Sequence, residues 1–481
     1  MDQASRVCGF CYRSMETKSS DAGRAWICAA VWFLFAGNCV AEDFSLREAL
    51  HMARENDPTY LGARAKLDAA QARHSQSTSY LLPQINLKGT ANRYDRRYER
   101  TEPILGDSVT KQRYDGYNAQ LTMSQPLYRR ANFVGITQAN ASLRQAEEEA
   151  LAADQDLLLR LAQAWLDGVS TEDAQAHAES RSVAARRQWD QLEKTSQIQL
   201  ASAPALADAR AKSTQAAAER IAAASEREAK LSKLEEIVGP LPGGVFPTLS
   251  SNYAPAAPTM RTLDEWLEIV DADNPTVNAA RAALFAANSE VDRQRAGHEP
   301  TIDLVGNYSY NKQGEGDFPG QSPYKILQYS VGIELNIPLF QGGLQSAKVR
   351  EALALRSQAE QELHGAMRSA RSTTRSAWFA WQAGNARQLA GNESVHAAAL
   401  ALRAARVGVT QEVKFDLDVL EAREQLLDAW TKTQQARYDA IIECLKLKAA
   451  SGVLSDDDLL DLDRHQVPRN AELQMIVEVR N

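Results

Sequence analysis

Asp416, Asp418 and Glu421 stand close together in a chain whose other candidate reactive residues are scattered. On a helix, Asp418 and Glu421 lie three apart and share one face. A rotationally symmetric assembly would multiply them into a ring of carboxylates. Such a ring favours cations and adds mutual repulsion at a narrow aperture. The same residues also suit a helix start, with Asp418 as N-cap and Glu421 three residues later near the positive helix end; the two roles are compatible. Nothing comparable points to catalysis. The histidines (His51, His74, His177, His298, His364, His396 and His465) are dispersed, and no phosphate-cradling loop or zinc-ligand spacing occurs. Pro300 interrupts His298-Glu299 before a metalloprotease helix could form. The chain is therefore expected not to be an enzyme and to need neither metal nor organic cofactor; its chemistry is that of passage.

Length and composition set the frame for those carboxylates. The 481 residues are 44% hydrophobic and 24% charged, which excludes collagen-like and disordered classes. The formal net charge of −8 gives no reason to expect nucleic acid as a partner. With a mean hydropathy of −0.41 and no long apolar run after residue 41, a polytopic helical membrane protein is excluded. A membrane β-barrel is not, because its strands alternate and leave little hydropathy signal. The one apolar stretch, 25–37 behind Arg24, reads as the core of a signal peptide occupying 1–41 and cleaved before Glu42. Cys8, Cys11, Cys28 and Cys39 would leave with it, so Cys444 alone remains and no internal disulfide is expected.

The rest of the chain is written twice. Leu46 to Pro58 reads LREALHMARENDP, and Leu263 to Pro275 reads LDEWLEIVDADNP; the same offset sets Pro300 against Pro83. Farther on, Gln-Pro-Leu-Tyr ending at Tyr128 answers Ile-Pro-Leu-Phe ending at Phe340, and Gly239 answers Gly452. Self-similarity of this kind marks a structural repeat. The expected units are 42–239 and 261–454, joined by a Pro/Gly-rich linker at 240–260 and followed by a tail, 455–481.

Each unit combines helical and strand signals. Pro58 and Pro275 open proline-free runs that read as helices. A second, much longer run rich in Ala, Leu, Gln, Glu and Arg begins at Arg130, and a helix from there to about Ser196 would extend roughly 100 Å. Between these lie segments that alternate apolar and polar residues, near 84–97 and 115–128 in the first unit and near 301–312 and 326–340 in the second. Ile85, Leu87, Leu121 and Met123, and then Leu304, Tyr308, Val331 and Ile333, fall on one face. Segments of this length match tilted transmembrane strands. The intervening stretches, 100–113 and 312–323, are polar and read as external loops. Four strands cannot close a barrel, and an open edge in lipid is costly. Oligomers with eight, twelve or more staves satisfy the constraint equally well. Two amphipathic hairpins on a soluble helical domain would give the same pattern.

The duplicated helix, strand, strand, long helix, helix order, the paired strand exits and the Asp418-Val419-Leu420-Glu421-Ala422 run resemble the TolC family of outer-membrane channels. The resemblance spans about 44–462. It implies a mainly α fold with a transmembrane β part, in which a homotrimer forms a 12-stranded β-barrel set in outer-membrane lipid. A long α-helical periplasmic tunnel continues that barrel. It further implies that Asp418 and Glu421 constrict the periplasmic aperture, and Asp416 is assigned there with them as part of the same acidic cluster. Gly408 and Gln199 would sit at helical tips that dock a periplasmic adaptor. Three features depart from the family pattern: the interval after Gly408 is longer, Gln199 stands where Gly is expected, and Ala405 replaces an aromatic. The run Leu454 to Leu460 is similar to the tail of type I secretion members. This favours protein export with an inner-membrane ABC transporter; the alternative is the outer-membrane component of a small-molecule or multidrug efflux pump.

Overall fold

A computed structural model describes residues 44–102, 106–197, 202–241, 248–249, 253, 262–315, 322–411 and 416–467. The expected leader, most of the linker and the end of the tail lie outside the described residues. Two copies of one unit follow each other. The first runs α1 (Leu46–Asn56), α2 (Pro58–Ser79), β1 (Gln84–Glu102), β2 (Gly106–Tyr128), α3 (Arg130–Gln197) and α4 (Ala203–Val238). After the short β3 (Thr248–Leu249), the second runs α5 (Leu263–Asp273), α6 (Pro275–Ala296), β4 (Thr301–Gln313), β5 (Tyr324–Asn336), α7 (Leu344–Thr410) and α8 (Asp416–Ser451). The chain closes with α9 (Asp456–Arg464) and β6 (Gln466–Val467).

Local chemistry explains where the helices begin and end. Asp57 caps α2 by accepting from the Tyr60 amide at 2.7 Å, and Asn274 caps α6 by accepting from the Val277 amide at 3.0 Å. Pro58 and Pro275 follow them as first helical residues, where a missing N–H costs nothing. Gly239 and Gly452 terminate α4 and α8 with φ of 86° and 82°, a conformation an L side chain adopts only with strain. At Gly452 a Cβ would also stand 2.7 Å from the Asp273 carbonyl, so this glycine is fixed by space as well.

The helices α3 and α7, of 68 and 67 residues, are the long axes, each about 100 Å. Helices α2 and α4 lie along α3, α6 and α8 lie along α7, and α3 also packs on α6 and α8. Near the middle of α3 the principal core gathers Trp165 and Leu161 with Leu46 and Leu50 of α1, Tyr438 of α8 and Leu462 of α9. Each such side chain contributes about 1.5–3 kcal/mol by leaving water. The first and last described helices, α1 and α9, meet here. Arg54 of α1 bonds Asp154 of α3 at 3.0 Å and Asp456 of α9 at 2.7 Å. β3 pairs antiparallel with β6, so part of the linker is held by the tail.

The four long strands form one antiparallel sheet in the order β1-β2-β4-β5. Its register sets Leu87, Leu121, Tyr308 and Tyr329 in one row and Ile85, Met123, Gly306 and Val331 in the next. The opposite face carries rows such as Asn86, Thr122, Asn307 and Ser330, and Gln120 donates to Asn307 at 3.0 Å. Outside the sheet the apolar face has no cover: Tyr329 is 84% exposed and Val331 76%. At the root, Arg129 binds the buried Asp303 carboxylate at 2.6 Å and ties the exit of β2 to β4.

One expectation is corrected. Residues 100–102 and 106–113, read as part of a polar external loop, are strand, and β1 and β2 pair from Gln84↔Ser124 to Glu102↔Gly106. The ladder continues because its charges are matched across it. Asp95 pairs with Arg113 at 3.0 Å, and Tyr94 stacks on Tyr114 with ring centroids 4.9 Å apart. Polarity marked where an apolar environment ends, and it was taken for the end of the strand.

Candidate functional site

The far ends of the long helices bring the acidic residues into place. On α8, Val419, Ala422 and Leu426 pack against Leu402 and Ala405 of α7. Ala405, which departs from the expected aromatic, is 1% exposed and belongs to this seam. With that face committed to α7, Asp418 and Glu421 are turned away from it. Asp418 is half-buried and Glu421 exposed.

Helix α8 begins at Asp416, so Asp418 is a residue of its first turn and not its N-cap. Residues 412–415 lie outside the described residues, as does Gln199. The acidic first turn still meets the positive end of the helix favourably. Gly408 was expected at the hairpin tip, but it is helical, in the last turn of α7. The Gln411 amide donates to the Val407 carbonyl at 3.1 Å and closes the helix beyond it.

The acidic stripe continues as Glu424 and Asp428, at helical spacing from Glu421. It faces the first unit. A groove of about 190 Å³ between α3, α4 and α8 is bounded by Arg181, Lys212, Glu219, Glu421 and Glu424. Arg181 pairs with Glu219 at 2.8 Å. The Lys212 ammonium is held above its ordinary range, first by its bond to Asp208 and also by the nearby Glu421 and Glu424. Arg181 and Lys212 of the first unit thus face Glu421 and Glu424 of the second across this groove.

His177 of α3, one of the dispersed histidines, lies in the neighbouring cavity of about 560 Å³, which Leu420, Glu424 and Asp428 also line. Its Nε2 is buried with no hydrogen-bond partner. Burial depresses its pKa, as does Arg181, while Asp428, Glu424 and the Leu427 backbone pull the other way. Sequence spacing gave no signal for this residue, since its neighbours come from a helix some 250 positions away. Among the described residues no His, Cys, Asp and Glu cluster has the geometry to hold a metal.

The arrangement is a set of long helices ending in charge, set on a sheet with one apolar face and two edges, β1 and β5, that no other described strand pairs. No described helix is long and apolar enough to cross a membrane. The family model described as outer membrane efflux protein matches residues 49–240 and 266–453. The outer membrane protein TolC of Vibrio cholerae is 28% identical over 419 residues, covering 87% of this chain and 93% of that protein. The proteases secretion protein PrtF of Dickeya chrysanthemi is 28% identical over 430 residues, covering 88% and 91%. Among solved structures, the Campylobacter jejuni CmeC outer membrane channel superposes with a TM-score of 0.68 at 16% identity, covering 94% of each chain.

Proposed function

Because this chain belongs to the outer membrane efflux protein family, we propose that three copies form an outer-membrane duct that exports protein in company with a periplasmic adaptor and an inner-membrane ABC transporter. The observation that carries the duct is the four-stranded sheet. Its continuous apolar face requires lipid, and its free β1 and β5 edges would each strand a row of backbone groups there. Pairing β1 of one copy with β5 of the next removes every edge, and a head-to-tail contact of this kind closes into a ring. Three copies give a barrel of twelve strands whose polar face lines the lumen. The helices rooted beneath each strand continue the wall into the periplasm.

In that assembly Asp416, Asp418 and Glu421 narrow the periplasmic aperture, and three copies of each concentrate negative charge there. Contact between α8 and the first unit's basic groups, Arg181 and Lys212, opposes separation of the helical pairs. Opening is an iris-like movement that parts them. The tips near Gly408 and Gln199 receive the adaptor. The residues work as a conduit, by shape and field, and no covalent step is required of them.

The protein-export route is supported by the similarity to a proteases secretion protein across most of both chains, together with the resemblance of the Leu454 to Leu460 run to the tail of type I secretion members. The test is the protein profile of culture supernatants from a deletion strain and its parent, with growth and lysis matched. Loss of one or a few specific proteins, restored by the gene, is the expected result. An unchanged profile together with raised drug or dye accumulation overturns protein export in favour of small-molecule efflux.

A further inference from the structure

The outward end of the sheet carries an unassigned feature. β2 pairs with β4 as far as Gly116↔Gln313, and the Gly314 amide donates to the Asp115 carbonyl at 2.8 Å; beyond that, among the described residues, the β1–β2 hairpin continues without a neighbouring strand. This overhang lies at the end of the sheet away from α2 and α3, and hence on the outer side of the membrane. Side chains alternate between faces along a strand. Ile85 and Leu87 face lipid, so Lys88, Thr90 and Asn92 face the lumen, and Tyr94 and Arg96 continue that inner face. Tyr114 is the direct partner of Tyr94. A two-stranded ribbon twists more than a sheet, but the twist has accumulated over only a few residues at this point.

The two faces of the overhang differ in charge. On the outer face, Arg93 meets Asp115 at 3.9 Å, Arg113 meets Asp95 at 3.0 Å, and Arg97 meets Glu99 at 2.7 Å. On the inner face Arg96 is exposed, and among the described residues no carboxylate pairs with it. Beside it the tyrosines are held in place. The Asn92 amide donates to the Tyr94 hydroxyl at 3.2 Å, and the rings of Tyr94 and Tyr114 stack. The Tyr94 ring also lies over Gly116, where a Cβ would stand only 2.8 Å from it. The bare glycine therefore leaves room for the ring to lie flat on the ribbon.

We propose that Arg96, Tyr94 and Tyr114 form an anion-binding collar at the outer mouth of the channel, whose ligands are carboxylate-bearing polypeptide segments leaving it. The proposal rests on the trimeric duct reading, which repeats the set three times around one axis. A guanidinium matches a carboxylate with two parallel hydrogen bonds, and the fixed rings give an apolar floor beside it. The occupant is chosen by charge: the inner face presents cation and ring and, among the described residues, no acid beside Arg96. An acidic segment that the transporter drives past the aperture carboxylates is thus held transiently at the outlet.

Purified trimer in planar bilayers, inserted in one orientation, tests this with poly-L-glutamate as blocker. Blocker added on the hairpin side is expected to reduce single-channel current at lower concentration than from the helical side. Arg96→Gln should raise the half-blocking concentration on the hairpin side about tenfold, the loss of one charge-assisted contact, without altering trimer yield. Arg96→Lys should lie between the two. Block that is indifferent to Arg96→Gln, or equal from both sides, overturns the collar while leaving the duct intact. Absence of any conductance in the parent protein overturns the duct and the collar with it.

Discussion

Replacing Asp57 isolates what holds α2 against α3. Its carboxylate is 3% exposed, caps α2, and receives Arg160 Nη1 at 2.9 Å and Nη2 at 3.2 Å. Losing an N-cap costs about 1 kcal/mol. Stranding a buried charge costs about 3–5 kcal/mol, but Arg160 is 30% exposed and keeps Asp156 at 2.6 Å, so its share is smaller. Asp57→Ala should therefore destabilise by about 3 kcal/mol in all. Asp57→Asn keeps a capping oxygen and should lose about 1–2 kcal/mol. The second unit supplies the precedent: Asn274, in the equivalent place, caps α6 and donates to the Ala450 carbonyl at 2.8 Å, a neutral amide where the first unit has a carboxylate. Burial raises the Asp57 carboxyl, yet Arg160 and the Tyr60 amide outweigh it and hold the pKa below the ordinary value. A depressed carboxylate stabilises the fold at neutral pH and loses that contribution as pH falls through its folded pKa. The assay is urea unfolding of the detergent-solubilised protein, followed by helical circular dichroism at fixed protein concentration, for Asp57→Ala, Arg160→Ala and the double variant. Coupling below about 0.5 kcal/mol, or an advantage of the parent over Asp57→Asn that persists undiminished in acid, would refute the reasoning.

Three further outcomes follow from the same structure. Asp418→Ala combined with Glu421→Ala should lower cation preference in planar bilayers and weaken block by multivalent cations added on the helical side; unchanged selectivity would remove these residues from the aperture. His177 is neutral at pH 7 because its pKa lies below the ordinary 6.5. The unfolded chain then binds the proton first, so stability is full above about pH 6.5 and declines as pH falls; His177→Gln should flatten that decline in thermal melts, and an unchanged slope would assign it elsewhere. Cys444 is buried, and its thiol is raised first by that burial and also by Asp458 against the opposing Lys448. It should resist Ellman's reagent until the protein unfolds, and rapid labelling of the native protein would contradict the packing.

Much of the architecture was written in local signals. Pro58 and Pro275 mark helix starts because a ring-closed φ and a missing N–H suit only that position. The alternation through Ile85 and Leu87 or Val331 and Ile333 needs only the two-residue period of a strand. What escaped was set by partners distant in the chain. Arg160 lies 103 positions from Asp57, and the contact is made by packing of α2 on α3. The hairpin overhang was obscured for another reason. Its charges pair across the ladder, and a composition rule cannot distinguish matched charge from a loop. Tyr94, Arg96, Tyr98 and Arg100 do keep the period of a strand, a signal available once polarity is set aside. The N-cap role for Asp418 failed because the helix starts two residues earlier, at Asp416, and helix ends are the least determined part of any such pattern.

The meeting of α1 and α9 in one core bears on how the protein reaches its membrane. A polypeptide delivered across a bilayer from its N-terminus presents Leu46 and Leu50 early and Leu459 and Leu462 almost last. Until then the first helix has apolar side chains and the Arg54 guanidinium but neither Asp456 nor the closing leucines to receive them. The core around Trp165 therefore cannot close on α1 until α9 has been made, so the chain's earliest helix waits on one of its last. In that role α9 acts as a closing piece: a protomer cut short before it would leave Leu46 and Leu50 without Leu459 and Leu462, and Arg54 without Asp456.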